Sequence, residues 1–337
     1  MTLGVRMRKL LGVIVPFLAV AILLISGLQT AFAASVTSPA TNGYRISPVR
    51  TDLNISRGSS DVITVYIQNA SSAVENVQAV ADDFEAPTNE SGDPALLLNG
   101  ATAPDHSLKQ FATIENPTFT LQPNQQKAVS VLIKIPTTAT SGGYYGAIRF
   151  APLGATGSKN VNLSASVASL VLITVPGNLV EKVSIAGFGV SQGSSTQTHT
   201  LFFSNKKLQV ITRFQNNGNV QEQPFGKIIL KRGSTALGTY AINNASSPGN
   251  VLPSSIRLFS VKVSKVGWFG KYKVEGNFGY GSQGQLLTAQ STFYVIPIIV
   301  IVLAILILLL VLFLIFGVPR LLRAYNRSIV ARANRRQ

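Results

Sequence analysis

The stretch "IPTTATSGGYYGAIRF", Ile135–Phe150, sets two glycines and two tyrosines between runs of branched apolar residues. Upstream, "AVSVLIKIP" alternates Val129, Val131, Ile133 and Ile135 with polar partners, the period of a half-buried strand. Pro136 has no N–H to give a ladder, so that strand stops there. Gly142 and Gly143 admit backbone dihedrals that other residues resist, and the chain reverses. "YYGAIRF" then restarts as a strand with Ile148 and Phe150 on one face. Strand neighbours alternate, so one of Tyr144 and Tyr145 points inward and the other outward. The outward ring is a candidate ligand-facing aromatic able to stack on a sugar. A plainly exposed tyrosine is the simpler reading.

The same grammar runs through the middle of the chain. Ile63, Val65 and Ile67 alternate in "DVITVYIQN", and Val161 through Val175 holds an apolar residue at nearly every odd position. Leu208, Val210 and Phe214, then Phe259, Val261 and Val263, then Tyr272, Val274 and Phe278 behave alike. No long helical period interrupts them. "VYIQNASSAVENVQAV" and "TRFQNNGNVQEQPFGKIIL" echo one another as strand, Gln-Asn, polar turn, strand. These patterns predict an all-β fold of two tandem immunoglobulin-like β-sandwiches, 34–176 and 177–294, with the joint near Pro176-Gly177. A single elongated sandwich is the alternative.

The ends of the chain are different in kind. Arg6, Arg8 and Lys9 precede the apolar run Leu10–Ile25, and Ala31-Phe32-Ala33 supplies small residues for a signal peptidase, giving a signal peptide over 1–33. An uncleaved anchor is the alternative. "VIPIIVIVLAILILLLVLFLIFGV", 295–318, is apolar throughout and long enough for a transmembrane helix. The basic tail, 319–337, holds Arg320, Arg323, Arg327, Arg332, Arg335 and Arg336 and no acid, which marks the cytoplasmic side. Signal, span and tail together predict a single-pass type I protein of the cell membrane with its ectodomain outside. As a helix, the tail would put Leu321, Leu322, Tyr325 and Ile329 on one arc and Arg320, Arg323 and Arg327 opposite, suited to an anionic leaflet. An unstructured stop-transfer tail fits equally.

The formal charge of +16 is unevenly spread over the 337 residues. Ala34–Pro176 holds eight basic and ten acidic residues, whereas Gly177–Tyr294 holds twelve and three. A basic, membrane-near half points to lipid headgroups or anionic wall polymer, or is a solvated face without a partner. It lacks the aromatic-interleaved stripe of a nucleic-acid binder. The absence of cysteine leaves each domain to its own core and fits a bacterial surface protein.

Several stretches resemble the WxL-interacting surface proteins of Gram-positive bacteria. "ISPVRTDLNISRGSSDVITVYIQNAS" and "FTLQPNQQKAVSVLIKIPTTATSGGYYGAIRF" are similar to the opening and the end of that family's first domain. "FQNNGN", "PFGKIIL", "VLPSSIRLFSV" and "FGKYKV" are similar to its second. The resemblance implies two immunoglobulin-like domains, the first binding peptidoglycan and the second a host or partner protein, on a C-terminal anchor.

The search for chemistry is short. "GVSQG", Gly189–Gly193, has the form of a hydrolase elbow but no helix follows it. Ser204 and Lys207 have S-x-x-K spacing, again without the helix that would join them. His106 and His199 lack further ligands at metal spacing. In "DDFEAPTNESGD" Asp82, Asp83 and Glu85 offer oxygens that calcium favours, without EF-hand spacing, so a solvated loop is the first reading and calcium the second. Trp268, Phe269 and Tyr272 either fill a sandwich core or rest at the membrane interface, the core being the first expectation. No catalytic set and no cofactor emerge. The sequence predicts a non-enzymatic surface protein that binds the cell wall (peptidoglycan) or another surface protein. The alternative is a chaperone that lends a strand edge, around Val161–Val175, to an exported client.

Overall fold

A computed structural model describes residues 43–98, 101–103, 105–153 and 166–323. The signal-peptide expectation and Arg327 lie outside them.

The first sandwich is built from ten strands. Its smaller sheet orders β1 (Tyr44–Ser47), β3 (Ser60–Asn69), β8 (Gln126–Lys134) and β6 (Ala112–Ile114). The larger orders β2 (Arg50–Asn54), β10 (Val167–Val175), β9 (Gly142–Pro152), β4 (Glu75–Glu85) and β5 (Ala95–Leu97), with β7 (Thr118–Leu121) also paired to β4. The alternation decides the core. Ile63, Val65 and Ile67 of β3 and Val129, Val131 and Ile133 of β8 face Val77, Ile148, Phe150, Val171 and Ile173 across the layer. Leu170–Thr174 of β10 runs parallel to Arg50–Asn54 on one side, while β9 pairs antiparallel on the other. The strand expected to offer a free edge is therefore internal over Leu170–Thr174, paired there on both flanks, while Val167–Ser169 pairs with β9 alone.

The second sandwich sets β11 (Val183–Gln192), β13 (Leu208–Asn216) and β16 (Ile256–Lys262) against β12 (Leu201–Phe202), β18 (Gln285–Val295), β17 (Gly270–Tyr280), β14 (Phe225–Arg232) and β15 (Thr235–Ile242). Val210, Phe214, Ile228, Leu230, Tyr272, Val274, Phe278 and Phe293 fill its core. Phe214 and Phe278 meet edge-on at 5.0 Å between ring centroids.

The echo between the halves is atomic. Asn69 ends β3 and Asn216 ends β13, and both are fully buried. Each side-chain oxygen accepts the N–H two residues on, from Ser71 and Gly218, and each amide nitrogen donates to the carbonyl four residues on, Ala73 and Val220. One amide thus satisfies a whole turn in both sandwiches.

Beyond β18 the chain becomes α1, Ile298–Leu312, whose helical path continues to Arg323 over 26 residues in all. At about 1.5 Å per residue that is about 39 Å, long enough to cross a bilayer core. No residue of α1 is buried against the rest of the chain. The apolar run does not enter the helix at its first residue, because Val295 closes β18 inside the core and Pro297 starts the turn into α1. Arg320 and Arg323 stand exposed on the last turn of this helical stretch.

Candidate binding cleft between the two sandwiches

Strand β9 has two working faces. Tyr144 turns into the first core, where its hydroxyl meets Thr140 Oγ1 at 2.9 Å and its ring stands edge-on to Phe111. Tyr145 turns to the other face of the sheet. It is not open to solvent, being 2% exposed, because the second sandwich covers it. Its hydroxyl donates to Gln221 Oε1 at 3.0 Å, and burial raises its pKa well above the ordinary phenol value. The two rings alternate in direction, and neither stands on an open face.

Around Tyr145 the outer face of the larger sheet is apolar. Phe84 from β4, Ala147 from β9 and Leu170 and Leu172 from β10 form a strip, and Leu252 of the second sandwich packs onto it. The segment Ser247–Arg257 overhangs this strip and leaves two adjoining cavities, of about 220 and about 240 Å³, that share Phe84, Glu85, Ala86, Leu252 and Ser255. One adds Arg50, Asp93 and Arg257 to its walls; the other adds Asp105, His106 and Tyr145.

The polar groups of the cleft are held by the joint itself. Arg50 donates to Pro248 O at 3.1 Å and to Asn250 Oδ1 at 3.3 Å while pairing with Asp52 at 2.8 Å. Arg257 donates to Asn250 O at 2.8 Å and lies over the Phe259 ring, and its Nε is buried without a partner. Gly92 and Gly249 flank that guanidinium so closely that a Cβ on either would strike it. Burial presses its pKa below the usual value, Asp93 opposes this, and Arg50 adds to it. A guanidinium keeps its charge even so, and two of them at one lip favour an anion. An apolar floor with convergent charged groups is the usual make-up of a ligand pocket.

The acidic stretch beside the cleft is spoken for. Asp82, 2% exposed, pairs with Arg149 Nε at 2.6 Å on the outer face. Asp83, fully buried, points to the other face, where its carboxylate accepts N–H groups from Ala103, Leu108 and Lys109 at 3.0, 3.0 and 2.8 Å. Glu85 is exposed at the strand end. Alternation puts Asp82 on the face opposite Asp83 and Glu85, and Asp82 and Asp83 are each bonded to their own partners, so among the described residues no three metal-ligating side chains gather. Ser191 is buried within β11 and donates to Ser195 O, so "GVSQG" forms no elbow. His106 Nδ1 lies 2.7 Å from Gly143 O, and His199 bridges to Val190.

Residues 51–152, from within β2 to the end of β9, match the family described as WxL Interacting Protein, peptidoglycan binding domain. The chain resembles WxL-interacting surface proteins, as its sequence indicated. The matched segment supplies Phe84 and Tyr145 of the cleft; β10 and the second sandwich lie beyond it. The matched family is a binding domain, not an enzyme. No curated protein matches the sequence. Among solved structures, the Escherichia coli chaperone DraB is 13% identical over 75% of this chain and 96% of its own, with a TM-score of 0.33. A chain of the Acinetobacter baumannii CsuC–CsuE chaperone–tip adhesion subunit pre-assembly complex is 13% identical over 73% and 97%, with a TM-score of 0.35. Likeness at that level assigns no function.

The residues of β9 are legible in the sequence and the cleft is not. Arg50, Phe84 and Arg257 come from three distant parts of the chain, and nothing local joins them.

Proposed function

We propose that this WxL-interacting-type protein is a membrane-anchored, single-pass surface protein that binds peptidoglycan of the cell wall, with its two sandwiches outside and its basic tail inside. The observation that carries the reading is the match of residues 51–152 to a peptidoglycan-binding family. The exposed 26-residue helix, apolar from Ile298 to Val318, supports the anchor. Wall polymer offers sugar rings with apolar faces and carboxylates on its peptides. The Phe84–Leu170–Leu172 strip suits the first, and Arg50 with Arg257 suits the second. Tethering many copies to one membrane beside one continuous polymer multiplies weak contacts through local concentration.

The test is sedimentation of the full chain, in detergent micelles, with purified peptidoglycan sacculi. The expected result is co-pelleting that weakens as salt rises, because charged contacts at a partly open cleft are screened. A chain that stays in the supernatant at low salt refutes wall binding. Arg50→Gln locates the site: several-fold weaker retention supports the cleft, and unchanged retention moves binding to another face of the first sandwich.

A further inference from the structure

We infer that the membrane-near end of the second sandwich is a lipid-docking surface that sits in the headgroup layer of an anionic bilayer. The inference rests on the reading of α1 as a membrane span. Strand register brings three segments to that end. Gly270 lies opposite Val295, so Trp268 and Phe269 continue past it beside the start of the helix. Phe202 lies opposite Val295 on the other flank, and Ile296 donates to Phe202 O, so Phe203 is level with Ile296 and Pro297. Asn205 Nδ2 donates to Val266 O at 2.8 Å and ties the two loops together.

The sequence favoured a core position for the aromatics here, and Tyr272 has one, at 1% exposure. Trp268 does not. It is 64% exposed, with Phe203 at 50% and Phe269 at 42%, and its ring leans on that of Phe269 at 5.9 Å between centroids. The β16–β17 loop is held in place, for Arg232 donates to Phe269 O and lies over the Tyr272 ring. Cations surround these rings: Lys206, Lys207, Lys265 and Lys271 are exposed on the same segments. Residues 200–207, 231–235, 262–273 and 293–299 contain no aspartate or glutamate. An indole and two phenyl rings among lysines and an arginine are what a headgroup layer takes up, the rings at the acyl boundary and the cations against phosphate.

Position decides the occupant. Only Ile296 and Pro297 separate β18 from α1. Two residues reach about 7 Å at most, so a chain inserted through α1 cannot hold this end away from the lipid. The surface is continuous with the span, and its charge complements an anionic leaflet.

Trp268 is the one tryptophan of the chain, so its fluorescence reports on this loop without a label. The experiment uses the full chain in vesicles of phosphatidylglycerol and phosphatidylcholine, with and without acyl chains brominated near the headgroup. Flotation with the vesicles is scored separately. The expected result is blue-shifted emission, strong quenching by brominated lipid and weak quenching by aqueous iodide. Lys206→Glu with Lys265→Glu should reduce the lipid quenching by at least half while the chain still floats. Emission typical of exposed indole, open to iodide and blind to brominated lipid in floating vesicles, overturns the docking surface and leaves the span intact. Blue-shifted emission that follows protein density and ignores bromine means a second copy covers the rings, which also overturns it. A chain that fails to float overturns span and docking together.

Discussion

Asp83 has no exposed surface, and three backbone N–H groups of the 103–109 segment converge on its carboxylate. Each buried donor left without an acceptor costs about 1–3 kcal/mol. Asp83→Ala should therefore destabilise the chain by about 3 kcal/mol or more, read as a clear fall in Tm of the full chain in detergent. Asp83→Asn keeps an acceptor and should fall between. Glu222 is the opposite kind of buried acid. Only Oε2 has a partner, Gly281 N–H at 3.1 Å, while Oε1 has none. Burial first, and the nearby Glu181 second, raise its pKa from 4.5 to about 7, against a lowering by Gly281 N–H. The folded state therefore holds this proton more tightly than the unfolded chain. Its stabilising share is full below about pH 4.5 and is lost as pH rises through about 7. Glu222→Gln should raise Tm at pH 8, leave it nearly unchanged at pH 5, and flatten the profile between. Equal shifts at both pH values would assign the effect to packing instead.

Strand β9 carries the element-scale lesson. The stop at Pro136, the strand that follows and the alternation of Tyr144 and Tyr145 were legible in Ile135–Phe150, because period and punctuation are local. What covers Tyr145 was not, since Gln221 comes from the other sandwich. Asp82 and Asp83 were legible as an acidic pair but not as opposite faces of one strand, because the polar run hides the period that would reveal a strand. Trp268 and Tyr272, four residues apart, went different ways because β17 begins only at Gly270, which leaves Trp268 in the loop before the ladder and Tyr272 within it. Gly142 and Gly143, expected to make the turn, are instead the first two residues of β9, laddered to Val175 and Thr174, and Gly142 has a further duty. Its φ is +143°, and a Cβ there would come within 2.7 Å of the Asn219 carbonyl oxygen. The next N–H, of Gly143, donates to that same oxygen at 2.8 Å. Gly142→Ala thus combines backbone strain with a clash against main chain, and should cost about 2 kcal/mol. The check is thermal unfolding together with protease cutting near 177–181, which should quicken because the joint is what the new methyl pushes apart.

At the scale of the whole molecule, the cleft exists only while the sandwiches keep their relation, and three of the contacts that hold it lie away from its floor. Glu90 and Arg213 pair at 2.6 Å, Leu258 N–H donates to Glu90 O at 2.9 Å, and Asn219 Nδ2 donates to Ser141 O at 3.2 Å. Glu90 sits on the 86–94 loop that walls the first cavity, so its ion pair sets the width of the cleft as well as the angle of the joint. The pair is only partly buried, with side-chain exposures of 23% and 27%, so losing it should loosen the joint without unfolding either core. The chain has no cysteine, so Val62→Cys and Leu286→Cys, at two exposed strand positions, give one spin label on each sandwich and none elsewhere. The distance distribution between them should be narrow in the parent and broader in Arg213→Ala, with Tm lowered by no more than a few degrees. If the cleft is the wall site, the same variant should also lose retention on sacculi, since a site built from both sandwiches weakens when they part. A broadened distribution with unchanged retention would keep the joint as described and confine wall binding to the first sandwich alone.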